Sequence, residues 1–203
     1  MVRLAQTLGA TRHRFSDSLA LNTTELNLGL RAVQTLVLYS LCEHQLGHAT
    51  RINVFAQGNA FSVSDNGRGH AISRTVEGAP YLDFIYEHLA FPYGRTASPP
   101  VQLQGLGMSL LNQLCTTLEV TVRKPTTTLH IRYASGQRVD HVVIEEANPE
   151  TGNTISGAVR SGPDSDLVDF AALSTWLSAV QRVNPGLNVA FNGNQLSLVA
   201  GGA

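Results

Sequence analysis

Residues 60–69, Ala-Phe-Ser-Val-Ser-Asp-Asn-Gly-Arg-Gly, restrict the possible folds more than any other stretch of this chain. The alternation predicts a strand with Phe61 and Val63 on one face, closing on an acid, Asp65, where a carboxylate can accept hydrogen bonds from outside the sheet. Gly67 and Gly69 remove the Cβ, so the backbone can turn sharply and a flat group can lie against it. Asp-Asn-Gly is equally an ordinary hairpin turn, and on local grounds both readings stand.

The rest of the chain has to be compatible with a sheet that ends this way. At 203 residues one domain with a substantial core is expected, spanning 22–203 behind an N-terminal arm over 1–21. Fourteen basic residues against fifteen acidic ones create no field that favours nucleic acid or an anionic membrane as a direct partner. No apolar run is long enough to span a bilayer. Arg3, Arg12 and Arg14 lie in an N-terminal stretch without a continuous apolar segment, which argues against a secretory signal. Two cysteines, Cys42 and Cys115, make neither a disulfide framework nor a metal site. A reducing cytoplasm is the expected compartment. His44, His48, His70 and His88 have no metal-ligand spacing and are expected in solvated or core roles.

Asn22-Thr23-Thr24-Glu25 has the spacing of a capping box. It predicts a long helix over about 23–46, stopped by Gly47. Val33, Val37 and Leu41, with Leu30 nearby, form its core stripe. Thr35, Tyr39, Cys42 and Glu43 fall on another side, three or four residues apart. Strands are expected over 50–56 and 60–64, a second helix over about 79–90, and a lid-length loop over 91–104. Gly105 and Gly107 open a third helix whose free N–H groups can bind an anion or a carbonyl. Strands over 119–124, 128–133, 139–145 and 154–160 follow. A last helix capped by Asp164 or Ser165 runs to about 183, and a hairpin over 187–192 and 195–199 completes the sheet. The fold class is α+β, a two-layer sandwich with a mixed β-sheet and helices on one face.

Three stretches carry a family resemblance. Gly47-His48 ends the first helix, Asp65-Asn66-Gly67-Arg68-Gly69 ends a strand, and Gly105-Leu106-Gly107-Met108-Ser109-Leu110-Leu111-Asn112 leads into Leu118-Glu119-Val120. Together they resemble the GHKL (Bergerat) superfamily, and within it the N-terminal ATPase domain of bacterial DNA gyrase B and topoisomerase IV. The resemblance covers roughly 22–199. It implies that Asp65 is the acid that accepts the adenine amino group in relatives, with Gly69 lining the same pocket. Arg68 would pair with Glu43 across the mouth. Lys124 stands where relatives carry an Arg that closes the pocket edge and contacts coumarin-type inhibitors. Thr154, or Asn153 if no residue is inserted there, would hydrogen-bond beside Asp65.

The departures from the family are specific. Relatives carry on this helix a Glu that activates water and, four residues on, an Asn that binds magnesium. Counted back from Gly47-His48 those positions are Thr35 and Tyr39; counted from Asp65 they are Gln34 and Leu38. Neither register supplies a base or a metal ligand. The Gly-Gly-Leu-His of the phosphate loop is replaced by Val101-Gln102-Leu103-Gln104, and the lid's Gly-Gly-Lys by Ala90-Phe91-Pro92-Tyr93. The chain also stops where relatives continue into a transducer domain. A stand-alone domain that has lost ATP hydrolysis is expected, with no metal and no cofactor.

Its former nucleotide pocket would hold a non-nucleotide small molecule. Asp65, Tyr39 and Glu43 are the catalytic candidates should chemistry occur. Thr35, Cys42, Arg68, Gly69, Phe91, Leu103, Gly105, Gly107, Lys124 and Thr154 join them as lining residues. A cyclase-type biosynthetic enzyme that folds its substrate and a drug-sequestering protein both fit. The alternative is a pseudo-ATPase that binds adenine nucleotide as a regulatory or partner-binding module. A homodimer, with the arm exchanged between protomers as in relatives, is the remaining partner expectation.

Overall fold

In the computed structural model the described residues are 28–76, 78–87, 107–160 and 169–196. The arm, the capping box at Asn22 and Glu25, Asp164, Ser165, His88, Phe91, Leu103 and Gly105 lie outside them.

Helix α1 spans Leu28–Gln45. Ala32, Val33, Leu36, Val37, Ser40 and Leu41 recur at helical spacing and are all buried. The helix ends at Gly47, whose N–H donates to the His44 carbonyl (2.8 Å), while the His48 N–H donates to that of Glu43 (2.8 Å). Strands β1 (Arg51–Gln57) and β2 (Ala60–Asp65) form the expected hairpin, with Ile52, Val54, Ala56, Phe61 and Val63 directed into the core.

The second helix, α2, is Tyr81–Glu87. It starts two residues later than predicted, because Ala79–Pro80 (β4) pair with Thr75–Val76 (β3) and that pairing takes their backbone out of helical geometry. Helix α3 is Met108–Leu114, entered through Gly107. It runs directly into β5, Cys115–Lys124, four residues earlier than predicted. Thr116 and Thr117 lack the apolar alternation of a strand start, but the chain is held in the ladder there by β8. Strands β6 (Thr127–Ala134), β7 (Gln137–Glu145) and β8 (Gly152–Val159) follow.

Helix α4, Phe170–Val183, is capped by Asp169, whose side chain accepts from the Ala172 N–H at 2.9 Å; this corrects the expected cap at Asp164 or Ser165. The hairpin β9 (Asn188–Phe191) and β10 (Asn194–Gln195) closes the chain's sheet.

Among the described residues the strands make one eight-stranded mixed sheet in the order β10-β9-β1-β2-β8-β5-β6-β7. In it, β9 runs parallel to β1 and the other neighbours are antiparallel. Along β1, β2 and β5 buried and more open residues alternate, so one face of the sheet carries the helices and the other faces outward. Leu173 and Leu177 of α4, Val33 and Val37 of α1, and Leu111 of α3 share that core with Leu118, Val120 and Val122. The α+β sandwich is the one expected from the sequence.

Candidate functional site

Asp65 is the last residue of β2 and points to the helix face, where it is 7% exposed. Its Oδ1 accepts from the Gly67 N–H at 2.9 Å and from the Asn153 N–H at 3.4 Å. Its Oδ2 accepts from the Ser40 hydroxyl of α1 at 3.0 Å. The turn that follows is fixed from outside. Asn66 clamps the start of β1, its Oδ1 accepting from the N–H groups of Thr50 (2.9 Å) and Arg51 (2.8 Å). The Thr151 hydroxyl donates to the Gly67 carbonyl at 2.6 Å. Gly152 approaches so closely that a Cβ there would sit 2.0 Å from the Asp65 carbonyl oxygen. Asp-Asn-Gly-Arg-Gly is therefore not a hairpin turn: it leaves the sheet and is held by three separate segments.

Glu43 and Arg68 meet as a two-pronged pair, Nε to Oε2 at 3.0 Å and Nη2 to Oε1 at 2.8 Å, and the Arg68 N–H adds a third bond to Oε2 at 3.1 Å. These bonds hold the Glu43 carboxyl below the usual carboxylate range against the opposing effect of burial. A carboxylate held this way is a poor proton acceptor. Lys124 turns back onto the same loop; its Nζ donates to the carbonyls of Arg68 (2.7 Å) and Gly69 (2.8 Å). Burial pushes its pKa down. Cys42, half-buried, has its thiol raised by burial and by Glu43, so it is not an activated nucleophile.

Glu43 and Ser40 reach the Asp65 turn, and at 100° per residue Tyr39 and Thr35 lie within about 80° of Glu43, whereas Gln34 and Leu38 lie roughly 140–180° away. Thr35 and Tyr39 thus lie on the side of α1 nearer Glu43. Thr35 is buried, with its hydroxyl donating to the Arg31 carbonyl at 2.8 Å. Tyr39 is half-buried and packs on the core.

Thr154 is corrected. Side chains alternate along β8, and Thr154 lies on the outer face, its hydroxyl accepting from Arg123 Nη1 at 2.9 Å. Asn153 is the residue beside Asp65: it is 8% exposed, and its Oδ1 accepts from the His70 N–H at 2.9 Å. Gly69 lines the turn with φ 70°, and Gly107 enters α3 with φ 74°.

His70 has a core role, as its lack of metal-ligand spacing suggests, and that role places it beside the site. Its Nε2 is 3.0 Å from the Tyr86 hydroxyl, with the two rings edge to face. Burial drives its pKa down to about 4, against the attraction of Asp65, so the ring is neutral near pH 7. Tyr86 stacks on Tyr133 with 5.3 Å between ring centroids. Its phenol is pushed well above its ordinary value by burial and then by Tyr133, Tyr39 and Asp65. Tyr86 and Tyr133 are completely buried, so behind His70 the Asp65 turn rests on an uncharged aromatic part of the core. The sequence signal for it is thin: a histidine directly after Asp-Asn-Gly-Arg-Gly. Among the described residues no group of three or more His, Cys, Asp or Glu side chains is placed to hold a metal.

The chain is similar in sequence and fold to known proteins. The chain is 29% identical over 170 residues to the B subunit of DNA topoisomerase 4 from Pseudomonas aeruginosa, 78% of this chain and 26% of that protein. It is 29% identical over 167 residues to the DNA gyrase B subunit of Mycobacterium leprae, 74% of this chain and 23% of that protein. The chloroplastic/mitochondrial gyrase B protein of Oryza sativa is 26% identical over 161 residues, 73% of this chain and 22% of that protein. The homologues of this chain are the B subunits of DNA gyrase and topoisomerase IV. The solved topoisomerase IV ATP-binding domain of Francisella tularensis, in complex with a small-molecule inhibitor, superposes with a TM-score of 0.66 at 23% identity, covering 78% of each chain. The chain therefore shares the fold of that ATP-binding domain. No family model matches the chain. It spans 22% to 26% of the length of these gyrase and topoisomerase relatives. Among the described residues no helix is long and apolar enough to cross a membrane.

Proposed function

We propose that this gyrase-B-like domain binds a small molecule at Asp65 without hydrolysing magnesium-ATP. The observation that carries the reading is the site side of α1. Tyr39 and Thr35 stand where the resemblance implies a metal ligand and a water-activating base, and Glu43, the nearest acid, is engaged on both oxygens by Arg68. A threonine hydroxyl takes no proton near pH 7. A tyrosine ring and a threonine bonded to its own helix do not make an oxygen set for magnesium, so these residues do not fit the metal. What remains is one buried carboxylate, the amide of Asn153, backbone around Gly67 and Gly69, and the neutral ring of His70. That combination suits a flat or partly apolar molecule presenting a hydrogen-bond donor to Asp65.

Two uses of such a site are open to it, both carried by the shape and orientation of the bound molecule. One is a cyclase-type biosynthetic enzyme, in which holding the substrate folded supplies the rate. The other is capture of a compound directed at gyrase itself. Calorimetric titration with ATP, ADP and a coumarin, each with and without magnesium, tests the reading. Binding of the coumarin, absent in Asp65→Asn, with no magnesium-dependent heat from ATP, is the expected result. Micromolar, magnesium-dependent ATP binding with phosphate release would overturn it.

The intact set of Asp65, Asn153, Gly67 and Gly69 favours a second reading, a pseudo-ATPase that binds adenine nucleotide for regulation. There ATP raises the melting temperature, magnesium increases the rise, and no phosphate is released.

A further inference from the structure

Strand β7 is the last strand of the sheet, and all nine of its residues are exposed. One of its edges is paired with β6; the other, among the described residues, presents free backbone N–H and C=O groups. Proteins normally blunt such an edge, yet this one carries Val142 at 47%, Val143 at 58% and Ile144 at 40% exposure, three large apolar residues in a row. The ladder slips between Arg132 and Tyr133, so Asp140 opposes Arg132 while Arg138 opposes Tyr133, and Val139 is left over as a bulge. The regular, pairable edge is therefore Asp140 to Glu145. Among the described residues the opposite edge of the sheet, β10, is two polar residues long and offers no comparable template.

We infer that β7 is a self-association edge, on which a second copy of this chain pairs antiparallel about a two-fold axis through Val143. The axis stands perpendicular to the sheet, so each side chain keeps its face, and opposed residues must be an even number of positions apart. In this register Val143 meets Val143, and Val142 meets Ile144 twice. His141 meets Glu145 of the second copy twice, placing a carboxylate opposite an imidazole in each half. The apolar triplet is thus complementary to itself, and each His141 ring can hydrogen-bond to the Glu145 carboxylate opposite it. Asp140 falls next to Glu146 of the second copy, and Arg132 at 3.7 Å offsets its charge. The short length of the triplet between charged ends, and the free backbone edge beside it, suit a strand rather than a lipid surface. The two sheets become one continuous sheet, with the Asp65 turns, on β2, remote from the junction.

Analytical ultracentrifugation of the full chain over a concentration series tests this. The wild type is expected to dimerise reversibly. Val143→Lys places like charges opposite each other on the axis and is expected to weaken the dimer by roughly tenfold or more. Val139→Lys, in the bulge, leaves the dimer intact. Val143→Cys under mild oxidation gives a disulfide-linked dimer, and Val139→Cys and wild type do not, which reads the register directly. A monomer at every concentration overturns the proposal. So does a dimer insensitive to Val143→Lys, which would put the interface elsewhere. A monomer whose β7 amides resist hydrogen exchange overturns it too, since the chain itself would then cover the edge.

Discussion

His70 lies next to Asp65, and folding changes its affinity for a proton. In the unfolded chain it takes one near pH 6.5, in the folded protein only near pH 4. Between these values the unfolded state binds more protons, so the contribution to stability is complete above about pH 6.5 and is lost as pH falls toward 4. Its ceiling is about 3 kcal/mol. Denaturant unfolding of the wild type and of His70→Asn at pH 7 and pH 4.5 should show a smaller pH-dependent loss in the variant; equal losses would remove His70 from the account. Among the described residues the buried Tyr133 hydroxyl has no hydrogen-bond partner. Tyr133→Phe should therefore raise stability by about 1 kcal/mol in the same measurement, because it relieves an unpaired polar group at constant shape. At the binding site, Asn153→Ala should weaken coumarin binding, whereas Thr154→Ala should leave it unchanged, since their side chains lie on opposite faces of β8. The sequence leaves these two neighbours as alternatives. Strand alternation alone cannot choose between them until the pairing of Val122 with Asn153 sets the register.

At the scale of elements, α1 and β8 hold the Asp65 turn from opposite sides. α1 contributes Ser40 and Glu43, and β8 contributes Gly152 and Asn153. Gly152 has φ 136°, a conformation that strains other residues, and no room for a side chain. Gly152→Ala should cost at least about 2 kcal/mol, read as a lowered denaturant midpoint, and should weaken binding at Asp65 because the turn must move. Arg68→Ala is the milder lesion. Its pair with Glu43 is half-exposed, so about 1 kcal/mol or less is expected. The helix and its end at Gly47 were legible in the sequence because periodicity and a terminal glycine are local signals. The early start of β5 and the late start of α2 were not, because each is imposed by a partner strand, β8 in one case and β3 in the other.

Across the whole molecule, the sheet depends on its C-terminal end. Strand β9 adds parallel to β1, and α4 buries Leu173 and Leu177 completely. Gln181 joins the two, donating to the Leu196 carbonyl at 2.6 Å and accepting from the Val189 N–H at 2.8 Å. Removing residues 161–203 should abolish cooperative thermal unfolding, monitored by near-UV circular dichroism, because β1 would lose a neighbour and the core three of its leucines, Leu173, Leu177 and Leu187. The pairing of Glu43 with Arg68 was implied by the family resemblance, whereas the α+β architecture, the places of the helices and strands, and the Asp65 turn could be read from the sequence. Each rests on a local pattern: a 3.6-residue or two-residue period, a glycine after a helix, or a motif of fixed spacing. Only the tertiary structure decided that Asn153 rather than Thr154 stands beside Asp65, that Ser40 of α1 donates to it, and that His70 rests on the buried Tyr86. Those facts depend on strand register and on which side of a helix meets the sheet, and both are set by contacts between residues far apart in the chain.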